Sequence, residues 1–172
     1  MITAYAYQNR ELITTELSVG DKVPESTLWL DLLKPDDAER QWLRLFSAEE
    51  VPDEEDIKEI EASARFYQNQ DGLHINSLFP QRVSSDVRAV NVSFNLRERF
   101  LLTMREEDVG LIRLLRNYLR LGRLDITTPQ GLLLELFTLK VDYLSDLIED
   151  IYSILENVGE QVFNDEELDG VF

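Results

Sequence analysis

Carboxylates are the reactive groups this chain holds in quantity. Asp53, Glu54, Glu55 and Asp56 crowd together and are followed by Glu59 and Glu61. A second set, Asp142, Glu149 and Glu156, recurs every seven residues, with Asp146 and Glu160 beside it. Oxygen-only ligands suit the hard cations Mg2+ and Ca2+, whereas Zn2+ would prefer His or Cys. Each set has a plainer reading. Acids at a helix start complement the helix dipole, and a charged helix face is ordinarily just solvated. The functional alternative is attraction of divalent cations or of a cationic surface.

Other chemistry is thin. The chain has no phosphate-binding glycine loop, no nucleophile elbow, no His-Glu-x-x-His and no EF-hand loop. His74 is the single histidine and has no Ser or Cys motif to pair with, so it reads as a structural or surface residue rather than a catalytic one. Cysteine is absent, which excludes disulfides, thiolate metal sites and cysteine catalysis. Arg97, Arg99, Arg105, Arg113, Arg116, Arg120 and Arg123 gather positive charge in the middle of the chain. They read as internal balance for the acids rather than as an anion site. A net charge of −17 argues against nucleic acid, whose phosphates demand Lys and Arg, and against adsorption to anionic lipid.

The elements that must position these groups follow from periodicity and punctuation. Residues 2–7 and 11–17 flank a short polar turn and read as a β-hairpin. Residues 28–33 are a buried strand, and Asp36 is placed to cap the helix that follows, whose stripe is Ala38, Trp42, Leu45 and Phe46. Pro52 opens a second helix with Ile57, Ile60 and Ala64 on one side. Three strands, 73–80, 87–96 and 100–104, have short connections and should run antiparallel. A helix of mixed charge covers 109–121, and 122–128 is a linker. Thr128 as N-cap and Pro129 at the first helical position start a helix reaching about Phe163. At 1.5 Å per residue it is about 50 Å long, so it should project.

That last helix has two faces. Phe137, Leu144, Ile151 and Val158 recur every seven residues, Leu147 and Ile154 fill the intervening steps, and the stripe suits a partner helix. Residues 141–172 carry ten acids and no Lys or Arg. Such a face needs solvent, cations or a basic partner to offset its self-repulsion. At 44% hydrophobic residues the chain can bury a core. No apolar run approaches the roughly 18 residues of a membrane span, and the start lacks the pattern of a signal peptide. The expected fold class is α/β: a three-layer α/β/α domain with a mixed sheet over residues 1–125, then a long acidic helical extension over 126–172.

Three blocks, in order, resemble the cytosolic N-terminal domain of the CorA magnesium/cobalt transporters. The first spans 29–40 and has Trp29, Asp31, Leu32, Pro35 and the acids Asp36, Asp37 and Glu39 in register. The second runs from Ile60, Glu61, Ala62, Ser63, Ala64, Arg65 and Phe66 on to Asp71, Gly72, Leu73, His74 and Ile75. The third starts at Leu132, Leu133, Leu134, Glu135, Leu136 and Phe137 and continues through Ile148, Glu149, Asp150, Ile151 and Tyr152.

The resemblance implies a Mg2+-sensing cytosolic domain on the cytoplasmic side of the bacterial inner membrane, with no catalytic role. In the family, long helices lead to a stalk and two membrane helices, five subunits surround an ion path, and Mg2+ between neighbouring domains keeps it closed. By the same resemblance Glu59, before Ile60, stands where the family often has Asp, and Asp56 is a second candidate ligand. Mg2+ is the implied ion, with Co2+, Ni2+ or Ca2+ as alternatives at the same carboxylates. Stalk, membrane helices and the family's Gly-Met-Asn signature do not occur in this sequence. A pore-less piece should therefore be a monomer or weak dimer, pentameric only in a full-length transporter, and should bind no nucleic acid. Two other classes stay open: a protein-interaction module docking through the 137–158 stripe, and a hydrolase using metal held by Asp56 and Glu59.

Overall fold

A computed structural model describes residues 1–45, 66–84 and 86–169, the stretch 163–169 as backbone alone. Its strands are β1 (Ile2–Gln8), β2 (Glu11–Leu17), β3 (Trp29–Leu33), β4 (Phe66–Asn69), β5 (Gly72–Val83), β6 (Asp86–Leu96) and β7 (Leu101–Arg105). Its described helices are α1 (Asp37–Arg44), α2 (Gly110–Arg120) and α3 (Pro129–Asp169). The strands form one sheet in the order β2-β1-β3-β7-β6-β5-β4. β3 and β7 pair parallel, with Trp29 opposite Leu101, while the other neighbours are antiparallel.

Alternation along the central strands creates two cores. Tyr5, Trp29, Phe79, Phe94 and Leu101 point to one side and meet Ile112, Leu115, Leu132 and Leu136 of α2 and α3. Ile2, Ala4, Leu30, Leu32 and Phe100 point to the other and meet Trp42 and Leu43 of α1. Both faces of the middle strands are covered, which explains their nearly unbroken apolar sequence. The result is the expected mixed sheet with helices on both sides and a long C-terminal helix.

Local chemistry sets the element ends. Asn9 and Arg10 both have positive φ, 52° and 64°, as a tight two-residue hairpin turn requires. Asp36 accepts from the Glu39 backbone N–H at 2.8 Å while the Glu39 carboxylate takes the Asp36 N–H at 3.0 Å, a reciprocal helix cap. The same carboxylate binds the Met1 amino group at 2.8 Å, tying the start of β1 to the start of α1. At the β4–β5 turn Gly72 has φ 126°, and a Cβ there would sit 2.2 Å from the Leu96 carbonyl oxygen. Only glycine fits.

Several expectations need correction. In α1 the buried pair is Trp42 and Leu43, whereas Ala38 is exposed and Leu45 is 82% exposed. The helix ends at Arg44, so Leu45 is its C-cap and leaves the stripe. β4 was not anticipated: four residues joined to β5 by a tight turn leave little periodicity to read. β5 runs past Pro80 to Val83, because β4 pairs with it only as far as Ile75 and Pro80 breaks no ladder on that side. The C-terminal helix is longer than its apolar pattern suggests and passes through Gly159 to Asp169. Phe46 and the helix expected from Pro52 lie outside the described residues.

Candidate functional site

The site begins where α3 meets the sheet. Thr128 Oγ1 accepts the Gly131 N–H at 3.1 Å and its carbonyl accepts the Leu132 N–H at 3.1 Å, so the N-cap forms as the sequence predicts. Leu132, Leu133 and Leu136 are buried against the sheet. Phe137 stands edge-on to Phe79, with ring centroids 6.0 Å apart, and lies 5.5 Å from Phe94. One turn on, Lys140 donates to Ser77 Oγ at 2.7 Å, and its ammonium lies 4.9 Å from the Phe79 ring centre and 5.5 Å from that of Phe137. These contacts clamp the first three turns of the helix. Phe137 is therefore part of the domain core and is not free to open a stripe for a partner helix.

Beyond the clamp the helix leaves the domain. Tyr143 and Leu147 are still half-buried, and the guanidinium of Arg82, near the tip of the β5–β6 hairpin, pairs with Asp150 at 2.9 Å. Val141, Ile148, Ile151, Tyr152, Ile154, Leu155, Val158 and Val162 are each at least half exposed. The helix from Val141 to Asp169 is about 40 Å long at 1.5 Å per residue. The expected projection is present.

A buried polar chain lies across the parallel strands at the start of α2. Trp29 Nε1 donates to Thr103 Oγ1 at 2.9 Å, and that hydroxyl donates to Asp31 at 2.6 Å. The Arg105 guanidinium donates to the same Asp31 oxygen and lies 3.6 Å from Asp108, which takes a 2.5 Å bond from Arg113. Arg105 is 0% exposed and Asp31 3%. Nearby, Arg116 donates to the Tyr5 hydroxyl at 3.2 Å, and Tyr5 packs its ring 4.8 Å from Trp29. Burial pulls the Arg116 guanidinium down, but the Tyr5 bond and the charges of Asp31 and Asp108 together hold it above the usual arginine value. Asp31 belongs to the first block of the family resemblance, and its carboxylate is occupied with Thr103 and Arg105. This is a structural role, not a ligand role. An acid in an otherwise apolar strand was the signal for a buried cation, and the sequence reading passed over it.

The remaining arginines largely balance acids or stack. Arg40 pairs with Glu106 and Arg88 with Glu107, while Arg97 and Arg99 flank the Phe100 ring at 5.6 and 5.8 Å. His74 stacks on Tyr67 with centroids 4.5 Å apart, and its Nε2 lies 3.0 Å from Asn69 Oδ1. That geometry fits a structural histidine.

Glu59 and Asp56, with the acids around them, lie outside the described residues. Among the described residues no three His, Asp or Glu side chains gather in a way that could hold a metal ion. Asp142, Glu149 and Glu156 are exposed along α3. A seven-residue step places successive members about 10 Å apart, too far to share one ion. Nor, among the described residues, is any helix long and apolar enough to cross a membrane.

Comparison with known proteins places this geometry. The profile of the CorA-like Mg2+ transporter proteins matches residues 24–172. The magnesium transport protein CorA of Haemophilus ducreyi is 33% identical over 165 residues, covering 95% of this chain and 52% of that protein. The chain thus spans about half the length of the curated relatives it matches. Among solved structures, the soluble domain of CorA from Methanocaldococcus jannaschii superposes with a TM-score of 0.67 at 16% identity, over 95% of this chain and 64% of that one. The full-length CmaX protein gives a TM-score of 0.68 at 19% identity, over 92% of this chain and 50% of that one. At those identities the structures speak for the fold alone.

Proposed function

The chain belongs to the family of CorA-like Mg2+ transporter proteins, and from that premise we propose that it is the Mg2+-sensing regulatory domain of a divalent-cation transporter. In this reading residues 1–125 form the sensing domain, and 126–172 begin a helical arm toward a stalk and pore. The domain works on the cytoplasmic face of a bacterial inner membrane, within a pentamer, and performs no catalysis. One observation supports this most directly. The sheet grips α3 through Leu132, Leu136, Phe137 and Lys140, Arg82 adds an exposed tether at Asp150, and the helix beyond faces solvent. A helix held rigidly at its base and free beyond is a lever, so small rotations of the domain become larger displacements at its far end.

Glu59 and Asp56 are the proposed regulatory ligands. They are three positions apart in sequence, and both are hard oxygen donors of the kind Mg2+ accepts alongside several retained waters. Mg2+ bound there would bridge neighbouring domains and hold the closed arrangement, and Co2+ or Ni2+ could substitute at the same carboxylates.

The test is Mg2+-dependent protease protection of the full-length transporter, wild type beside Glu59→Ala and Asp56→Ala. The variants should need more Mg2+ for the same protection, and Glu59→Ala should show the larger shift. Identical Mg2+ dependence in all three proteins would remove both residues from the regulatory site.

A further inference from the structure

β2 is an edge strand with its outer side open. The Tyr5 carbonyl accepts the Leu28 N–H at 2.8 Å, so Tyr5 turns its backbone toward β3 and away from Thr14, its register partner on β2. By the alternation of an antiparallel ladder, Leu12, Thr14 and Glu16 then point their N–H and C=O groups outward. Among the described residues no backbone group answers them. The devices that protect an edge are missing here. β2 holds seven residues in unbroken register with β1, with no bulge, Pro or Lys, and its charges are Glu11 and Glu16.

A line of positive charge overlooks that edge. Residues 109–124 carry four arginines and no acid, in a chain of net charge −17. At 100° per residue Arg113, Arg116 and Arg120 fall within about 60° of one another on α2, on the flank away from the half-buried Leu114 and Tyr118. α2 lies against β2, and Arg116 reaches the Tyr5 hydroxyl at 3.2 Å. Arg113 stays half exposed beside Asp108, and Arg120 is exposed with no acid paired to it among the described residues. Leu12 packs into the core under α2, so Leu12, Thr14 and Glu16 share the face that the arginines overlook. α2 ends beside the β1–β2 turn, where a Cβ on Gly122 would lie 3.6 Å from the Arg10 carbonyl oxygen. Arg120 is thus at the Leu12 end of the edge, and Glu16 is at the other.

We propose that β2 takes up an extended segment of an acidic partner protein as an added strand. Its backbone bonds to Leu12, Thr14 and Glu16, and its Asp or Glu side chains, at alternate positions, face Arg113, Arg116 and Arg120. Charge selects the occupant. A second copy pairing β2 with β2 would set two arginine lines against each other on one face of the joined sheet. A basic strand would meet the same repulsion, and a neutral one would leave the arginines unanswered. An acidic strand satisfies backbone and side chains together. The inference does not depend on Mg2+ sensing, and measurements in a chelator keep the two separate.

The experiment uses the 172-residue chain in EDTA with a labelled peptide of about nine residues, Glu alternating with Val and Thr. Fluorescence anisotropy should show saturable binding at low salt. A peptide with Lys in place of Glu should bind at least about tenfold more weakly. The Glu peptide N-methylated at alternate residues loses the donors it would turn to β2 and should not bind. Arg113→Glu with Arg120→Glu should cost about tenfold while leaving the circular dichroism unchanged, because both side chains are exposed. Thr14→Pro removes one outward N–H without touching the β1 ladder and should cost about fivefold. Equal binding of the Glu and Lys peptides, or no binding of either, would overturn the proposal. Full binding by the methylated peptide would reduce the contact to charge adsorption and overturn it too, whatever the fate of the proline variant. A dimer seen by light scattering that Thr14→Pro dissolves would name a second copy as the occupant instead.

Discussion

Arg82 and Asp150, 68 positions apart, meet at 2.9 Å and tie the tip of the β5–β6 hairpin to the sixth turn of α3. Among the described residues it is the ion pair furthest along the helix. Both partners are more than half exposed, so Arg82→Ala should cost no more than about 1 kcal/mol of global stability. Its effect should be local. Amide hydrogen exchange along residues 143–155 should quicken while the clamp at 132–140 keeps its protection. Uniform protection in wild type and variant would mean the pair does not restrain the helix.

The Asp31–Arg105 pair should behave in the opposite way. Both side chains are buried, so removing one partner strands a charge in the core. Arg105→Met should destabilise by about 3–5 kcal/mol in urea unfolding, and adding Asp31→Leu should recover much of that loss. If the double variant is no more stable than the single one, the carboxylate does more than answer the guanidinium.

Phe137 joins helix to sheet through Phe79 and Phe94. Its side chain is only partly buried, so Phe137→Ala should fall below the about 3–5 kcal/mol of a fully buried phenylalanine, at about 2 kcal/mol. Differential burial can be checked by the urea midpoint, with the slope unchanged. A loss under about 0.5 kcal/mol would mean that the aromatic contacts are not what holds the helix base.

With a net charge of −17 the chain repels itself, and its acids should respond to cation valence. Millimolar Mg2+ should raise the melting temperature more than NaCl of equal ionic strength does. Equal shifts would show screening alone, with no ion held at the carboxylates.

What could be read from the residues was set by local chemistry. The hairpin around Asn9 and Arg10, the Asp36–Glu39 cap and the Thr128–Pro129 helix start each depend on neighbours within four positions, and all three form where the sequence puts them. The mixed sheet with helices on both sides followed from the apolar strands. What stayed hidden depends on partners far away in sequence. Nothing near Asp31 announces Arg105, and nothing near Leu43 says that the sheet takes it in place of Leu45. The Phe137 to Val158 stripe looked continuous because periodicity alone does not tell a core contact from a solvent-facing one. Glu59 and Asp56 owe their standing to a family pattern, not to spacing, since acids at a helix start look the same whether or not they hold an ion.

The parallel pairing of β3 with β7 also governs how the chain reaches its fold. Asp31 and Thr103 face each other across 72 positions. Closing so long a loop is entropically costly, and the reward comes only once both strands are in place. The β1–β2 hairpin and the β5–β6–β7 meander close over short distances and can form independently on either side of that seam. Their joining is then the slow step. Until it happens the long sides of β3 and β7 stand open, so a newly made chain carries two unpaired strand edges that a neighbour could capture before its own sheet is complete.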